Sequence, residues 1–379
     1  MDFLKKIVTQ ESTHFGRLNQ QGQKLIISIF LYNVVDPFLI IFTNAFLWRQ
    51  SQSPQLVALY NLTYCIGLPC AFYLNGQLLR KYKPGQLYFF GNLLQGSIVA
   101  LLIFFSAHSF RTITFFGLLF GLGAGFFWAN RNLLTLRVTR RDNRIYFAGL
   151  ESLSGTLLSI IVPILVGAFI IVGSNLHIYS IQGGYELLSL ISLGVLFFVG
   201  FLLKDITITI APISRVILKK RSSLWNMFRY LTFIYGILSG IGFLTPIIIL
   251  KFIGNEGKLG VVQSFAAIIS TIIIYSIAKK ASQKHRIIIL IVGVLLNFIG
   301  ALFFGILYSI VGTFLLVTFF ALANPFEWVA YSTLSNDVID REESIHTQHH
   351  FSYVFDQEFF EYRKSCGYWM FFSFYKLFS

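Results

Sequence analysis

The chain has 379 residues, of which 55% are hydrophobic and 12% charged. Soluble domains carry roughly 25% charge, so a cytosolic enzyme, a disordered chain and a secreted disulfide scaffold are excluded and a polytopic helical membrane protein is indicated. The formal charge of +14 sits in short loops between apolar runs. There it reads as an orientation signal and as contact with lipid headgroups, not as a nucleic-acid surface.

Residues 1–24 hold no long apolar core and no small-residue cleavage site, so they read as a cytoplasmic N-terminus and not as a signal peptide. A bilayer core about 30 Å thick needs about 20 apolar residues in a helix, and the first such run is 25–47. Asp36 lies within it, about 16 Å along the axis and near the bilayer midplane at about 1.5 Å per residue. An ionised Asp there costs at least ~2.5 kcal/mol, so it needs a partner, a wet cavity or a proton. It reads as a proton or substrate site, or else as a packing residue hydrogen-bonded near the kink at Pro37. Asn33, Asn44, Asn61 and Tyr64 are candidates to line the same cavity.

The second and third runs are 56–79 and 86–107, joined by a basic loop with Gly76, Arg80 and Lys81. Cys65 and Cys70 lie in the second run and Cys366 far downstream, with no metal-type spacing, so all three read as free thiols. The fourth run, 112–134, carries Gly117, Gly121 and Gly125 on one face, where a neighbouring helix can approach closely. Its GLGAG segment follows no strand and has no lysine to hold phosphate, so it is not a nucleotide loop. Trp128, Asn130 and Arg131 follow near its inner end, and Glu151 opens the fifth run, 147–172. Arg131 and Glu151 share a depth. They read as an ion pair closing the cytoplasmic end of the cavity, or as a local pair with Arg131 snorkelling to headgroups. Trp128 and Asn130 are candidate ligand contacts, with packing or interfacial anchoring the other role for Trp128. Gly155, Ser159, Pro163 and Gly167 form a second small-residue stripe, on the fifth helix.

The sixth run, 185–203, is followed by the basic linker 204–224 and by runs at 225–250, 259–278, 286–309 and 312–334. The tenth carries Glu327, Trp328 and Tyr331, candidates for a substrate or proton pathway in which Glu327 either titrates or is paired. An eleventh segment, 351–375, includes Asp356, Glu358, Glu361, Arg363 and Lys364, so the count is ten or eleven. His346, His349 and His350 read as a solvated cytoplasmic loop and not as a metal site. No Ser/His/Asp set shares a depth, so neither enzymatic catalysis nor a cofactor is expected. With the N-terminus inside, 22 Lys and Arg fall in cytoplasmic segments and four outside, which supports that orientation in the cell (inner) membrane.

The chain repeats itself at an offset near 200. Trp128 precedes Trp328 by 200 residues, GNLLQ (91–95) matches GVLLN (293–297) at 202, and Leu56-Val57 matches Leu259-Gly260 at 203. YFAGLE (146–151) has a similar-looking counterpart in YVFDQE (353–358), which sets Glu358 opposite Glu151. Residues 25–203 and 225–379 therefore read as two parallel bundles of six-helix type, the second incomplete, related by an axis along the membrane normal.

At this point the chain resembles the major facilitator superfamily of secondary transporters, over residues 25 to about 360. The family has twelve helices and a loop after the second reading roughly G-x-L-a-D-r-x-G-r-r. Here Gly76, Leu78 and the basic residues match, while Arg80 stands where the acid is expected and Lys83 where the glycine is. Pro163 and its glycines resemble the helix-5 motif of family antiporters without its Gly-Pro pair. EYRKSCG (361–367) interrupts the eleventh helix and no twelfth follows, so the chain is expected to be truncated or altered there. The resemblance implies a multi-pass permease that moves a small solute by alternating access, with proton coupling as an option. The alternatives are a non-transporting receptor or degenerate scaffold, and a membrane-embedded lipid-modifying enzyme.

Overall fold

The computed structural model describes residues 15, 18–105, 109–139, 144–206, 245–280 and 286–345. Among these, all regular structure is helical: α1 (Gln20–Ser51), α2 (Pro54–Leu78), α3 (Pro84–Phe104), α4 (Phe110–Val138), α5 (Arg144–Asn175), α6 (Ile181–Phe201), α7 (Thr245–Ile253), α8 (Glu256–Lys280), α9 (Arg286–Leu307) and α10 (Ile310–Ile345). Nine described stretches are long and apolar enough to cross a membrane. Of the expected seventh helix only Thr245–Ile253 is described, and residues 346–379, with the expected eleventh helix and the histidine cluster, lie outside the described residues.

Local chemistry fixes the helix starts. Asn19, Ser53, Ser109 and Ser180 each accept a hydrogen bond from a backbone N–H in the first turn. Pro54 and Pro84 occupy first positions, where their missing N–H costs nothing. Several helices outrun their apolar stretches: α1 begins at Gln20, α5 begins at Arg144 and α10 continues to Ile345. Hydropathy marks where lipid ends. The backbone stays helical until a breaker intervenes, and residues 335–345 contain neither Gly nor Pro.

Inside α1, Pro37 interrupts the regular pattern and Phe38–Phe42 forms a π-helical turn. Proline has no N–H and crowds the carbonyl one turn back, so the backbone widens there. Thr43 Oγ1 donates to the Phe38 carbonyl at 3.1 Å and Asn44 Nδ2 to the Ile40 carbonyl at 2.7 Å. Those two side chains, and not Asp36, bond to the loosened turn.

The repeat seen in sequence recurs in the helices: α2 and α8 start 202 residues apart, α3 and α9 also 202, and α4 and α10 200. Equivalent helices make equivalent contacts. A Cβ on Gly91 would lie 2.6 Å from the Phe127 nitrogen and 2.8 Å from the Gly123 carbonyl oxygen, where α3 meets α4. One on Gly293 would lie 3.1 Å from the Glu327 nitrogen and 3.2 Å from the Ala323 carbonyl oxygen, where α9 meets α10. The α4 glycine stripe faces α2, with Gly117, Gly121 and Gly125 against the carbonyls of Tyr60, Tyr64 and Leu68. On its lipid side the fold presents large apolar residues such as Leu165, Ile191, Ile272, Phe298 and Ile306, the surface expected of a chain whose solvent there is hydrocarbon.

Apart from α5 and α8, which pack most heavily on each other, the helices α1 to α6 pack chiefly among themselves, and α9 packs chiefly on α10. The two groups meet mainly where α5 runs along α8, and α7 touches the end of α1. Two glycines allow that approach: a Cβ on Gly167 would lie 2.5 Å from the Glu256 carbonyl oxygen, and one on Gly260 2.2 Å from that of Pro163.

Candidate functional site

Asp36 projects from the α1 turn just before the π-helical segment. Protein atoms surround it, yet its side chain keeps partial solvent access. Tyr32 and Tyr64 lie close enough to interact with it electrostatically. Among the described residues no hydrogen-bond or ion-pair partner is found for its carboxyl.

The neighbours of Asp36 are held in place from α3, α4 and α5. The Tyr32 ring stacks on Phe127 at 3.8 Å between centroids, and its hydroxyl donates to Gln95 Oε1 at 3.2 Å. Asn33 Nδ2 donates to Ser154 Oγ at 3.2 Å, which ties α1 to α5. Arg131 and Glu151 form an ion pair between α4 and α5, both partly exposed. The Arg131 guanidinium also lies over the Trp128 ring, 4.8 Å from its centroid. Such a contact contributes about 0.5–1 kcal/mol at an exposed site. Both members of the Arg131–Glu151 pair belong to α1–α6, so the pair alone does not tie the two helix groups together.

Other expected site residues take different positions. Asn61 is buried and donates to Asn44 Oδ1 at 2.6 Å, joining α2 to α1. Asn130 is fully buried and donates to Asn75 Oδ1 at 2.7 Å, joining α4 to α2. Both amides are turned to helix interfaces and away from open space. Gly76 is buried near the end of α2, and Arg80 and Lys81 are exposed in the turn that follows, where Lys81 lies 5.6 Å from the Tyr82 ring centroid. Glu327 is buried and accepts from Asn297 Nδ2 at 2.6 Å. The backbone of Trp328 and Tyr331 continues α10, and their side chains lie outside the described residues. Cys65 is buried and Cys70 exposed, both as free thiols, while Cys366 lies outside the described residues. Among the described residues no group of three or more His, Cys, Asp or Glu is placed to hold a metal ion.

Three residues that sequence reasoning passed over sit at the opposite end of α1. Arg49, Tyr185 and Glu256 converge there from α1, α6 and α8. Gln95 and Asn297 were overlooked as polar partners although their signal was visible: they are the last residues of the matched pair GNLLQ and GVLLN.

Comparison with protein families matches residues 25–346 to the Major Facilitator Superfamily. The chain is 27% identical over 254 residues to the uncharacterized protein YqgE of Bacillus subtilis (strain 168), covering 65% of this chain and 58% of that one. It is 30% identical over 138 residues to an uncharacterized protein in the sodM 3' region of Geobacillus stearothermophilus, covering 36% of this chain and 62% of that one. The chain thus spans about three fifths of the length of the curated relatives it matches. Among solved structures it is similar to a bacterial homologue of the iron transporter ferroportin in an inward-facing state, with a TM-score of 0.67 and 16% identity over 94% of each chain. It is also similar to the nucleoside transporter NupG, with a TM-score of 0.63 and 13% identity over 95% of this chain and 98% of that one. At such identities the structural likeness speaks for the fold alone.

Proposed function

This chain belongs to the Major Facilitator Superfamily, a family of multi-pass membrane transporters and not of enzymes, and from that premise we propose that it moves a small uncharged or cationic solute across the cell membrane by alternating access, coupled to protons. The observation that carries this reading is Asp36: an acid inside the first membrane-length helix, enclosed by protein yet partly accessible, beside Tyr32 and Tyr64, and with no bonded partner among the described residues. An acid in that position is stabilised by a proton or by a cationic solute, and exchange of one for the other couples their movements.

The recurring helix offsets support the same reading; the linker expected at 204–224 lies mostly outside the described residues. In this scheme α1–α6 and α7 onward rock about the cavity. Arg131, Glu151 and Trp128 form a fixed platform on the first bundle against which the second closes on the cytoplasmic side. The placement of Lys and Arg, 22 against four, supports a cytoplasmic N-terminus. Glu327, with Trp328 and Tyr331 on the same helix, is the second bundle's candidate acid on the pathway. The basic turn with Gly76, Arg80 and Lys81 faces the cytoplasm and anionic headgroups.

The test is counterflow in proteoliposomes, with a labelled neutral sugar, a dipeptide and tetraphenylphosphonium as probes. We expect at least one probe to show a transient overshoot that an imposed pH gradient enlarges. Asp36→Asn should abolish the gradient's effect. Absence of counterflow with every probe, or an unchanged pH response in Asp36→Asn, would refute the proposal.

A further inference from the structure

The polar contacts seen between the two helix groups converge on Glu256. Its side chain is fully buried. Arg49 Nε donates to Oε1 at 2.7 Å and Arg49 Nη2 to Oε2 at 2.9 Å, a two-pronged guanidinium–carboxylate contact across 207 residues of sequence. Tyr185 donates its hydroxyl to Oε1 at 3.3 Å. Arg49 occupies the last turn of α1 and Glu256 the first position of α8, so each charge also meets the favourable end of its own helix dipole. Directly behind the pair, the backbone of α8 presses on Gly167 of α5.

We infer that Arg49, Glu256 and Tyr185 form a latch that holds this end of the molecule closed and must open once in every transport cycle. The geometry separates a latch from a simple staple of the fold. The three residues come from the ends of helices in two different groups. The close approaches between those groups at Gly167 and Gly260 are backbone packing that tolerates sliding, whereas a forked ion pair has one geometry. Nearly half of the Arg49 side chain stays exposed, so water can reach and solvate the guanidinium as the pair parts. Glu256 has no such access while the end is closed, so its charge is matched only as long as Arg49 and Tyr185 stay against it.

The inference rests on the alternating-access reading, and its test is independent of the solute. It uses the full chain in lipid nanodiscs, with Cys65, Cys70 and Cys366 replaced by serine. Spin labels are placed at the exposed positions Gln55 and Val311, at the starts of α2 and α10, and their separation is read by pulsed electron–electron resonance. The wild type should give mainly one short distance. Glu256→Gln and Arg49→Ala should raise a longer-distance population at least roughly tenfold, since truncating one partner of a buried charge pair commonly has an effect of that order. Arg49→Lys, which keeps the charge and loses the fork, should fall between. The exchange Arg49→Glu with Glu256→Arg should return the distribution toward wild type. Should Arg49→Ala fail to fold, Glu256→Gln, which keeps the shape of the side chain, still decides. Unchanged distance populations in Glu256→Gln and Arg49→Lys overturn the latch, whatever counterflow shows. Shifted populations with no counterflow confirm that the three residues clasp this end and sink the transport reading, and with it the clasp's part in a transport cycle.

Discussion

Replacing Gly121 with alanine adds one methyl group at the tightest point between α2 and α4. Its Cβ would lie 2.1 Å from the Tyr64 carbonyl oxygen, where ordinary contact begins near 3.4 Å. The obstacle is backbone, so no rotamer change relieves it, and the helices must move apart by more than 1 Å. The separation would propagate along the stripe, because Gly117 and Gly125 meet the Tyr60 and Leu68 carbonyls in the same way. Opposing this, Ala is a better helix former than Gly by about 1 kcal/mol. Overpacking costs about 1–3 kcal/mol or more, so Gly121→Ala should be destabilising on balance, by about 1–2 kcal/mol. Gly194 provides the internal control: nothing lies within 4 Å of its added Cβ, so Gly194→Ala should stabilise by up to about 1 kcal/mol through helix propensity alone. Unfolding of both variants in mixed micelles, titrated with denaturing detergent, reads the two signs side by side. If Gly121→Ala proves as stable as Gly194→Ala, the close α2–α4 approach is wrong.

Two further outcomes follow from the buried amides. Asn130→Ala should lower stability in the same titration by about 1–2 kcal/mol, because the buried Asn75 amide oxygen loses its donor; no change would show that the α2–α4 clamp is not made. In the second half, Asn297→Ala should weaken a pH-driven counterflow and Glu327→Gln should remove what remains of it. If Asn297→Ala and Glu327→Gln both leave transport and its pH response intact, the bonded pair is structural only.

What the sequence revealed, and what it did not, divides along physical lines. Depth in the membrane is readable from hydropathy, so nine of the runs reappear as long helices and Arg131 and Glu151, placed at one depth, are found in contact. The glycine stripe of α4 was legible because small residues at every fourth position leave one explanation in lipid, the close approach of a neighbour. The direction in which a polar side chain points is harder to read. Asn61 and Asn130 were expected to face the solute, but apolar surroundings make an amide valuable as interhelical glue, and they join α2 to α1 and α4 to α2. Asn44 likewise donates to its own helix at the π-helical turn. Arg49 and Glu256 were invisible for another reason. Each lies at a helix end, where a sequence leads one to expect water and a charge draws no notice, and nothing in a single sequence pairs residues 207 positions apart.

The repeat and its departures carry the mechanism further than either half alone. Gly91 and Gly293 open the same slot between a third and a fourth helix: Gly91 faces the Phe127 backbone and the Phe126 side chain, and Gly293 the backbone and side chain of Glu327. In the first half the slot serves packing: Phe127 stacks on Tyr32, and Gln95 accepts the Tyr32 hydroxyl. In the second half Asn297, the repeat counterpart of Gln95, bonds to an acid instead. The first half has its own acid on α1, at Asp36, close to Tyr32. The two repeats thus place their carboxyls on different helices, Asp36 on α1 and Glu327 on α10, so that under the proposed transport reading the two halves offer unequal sites.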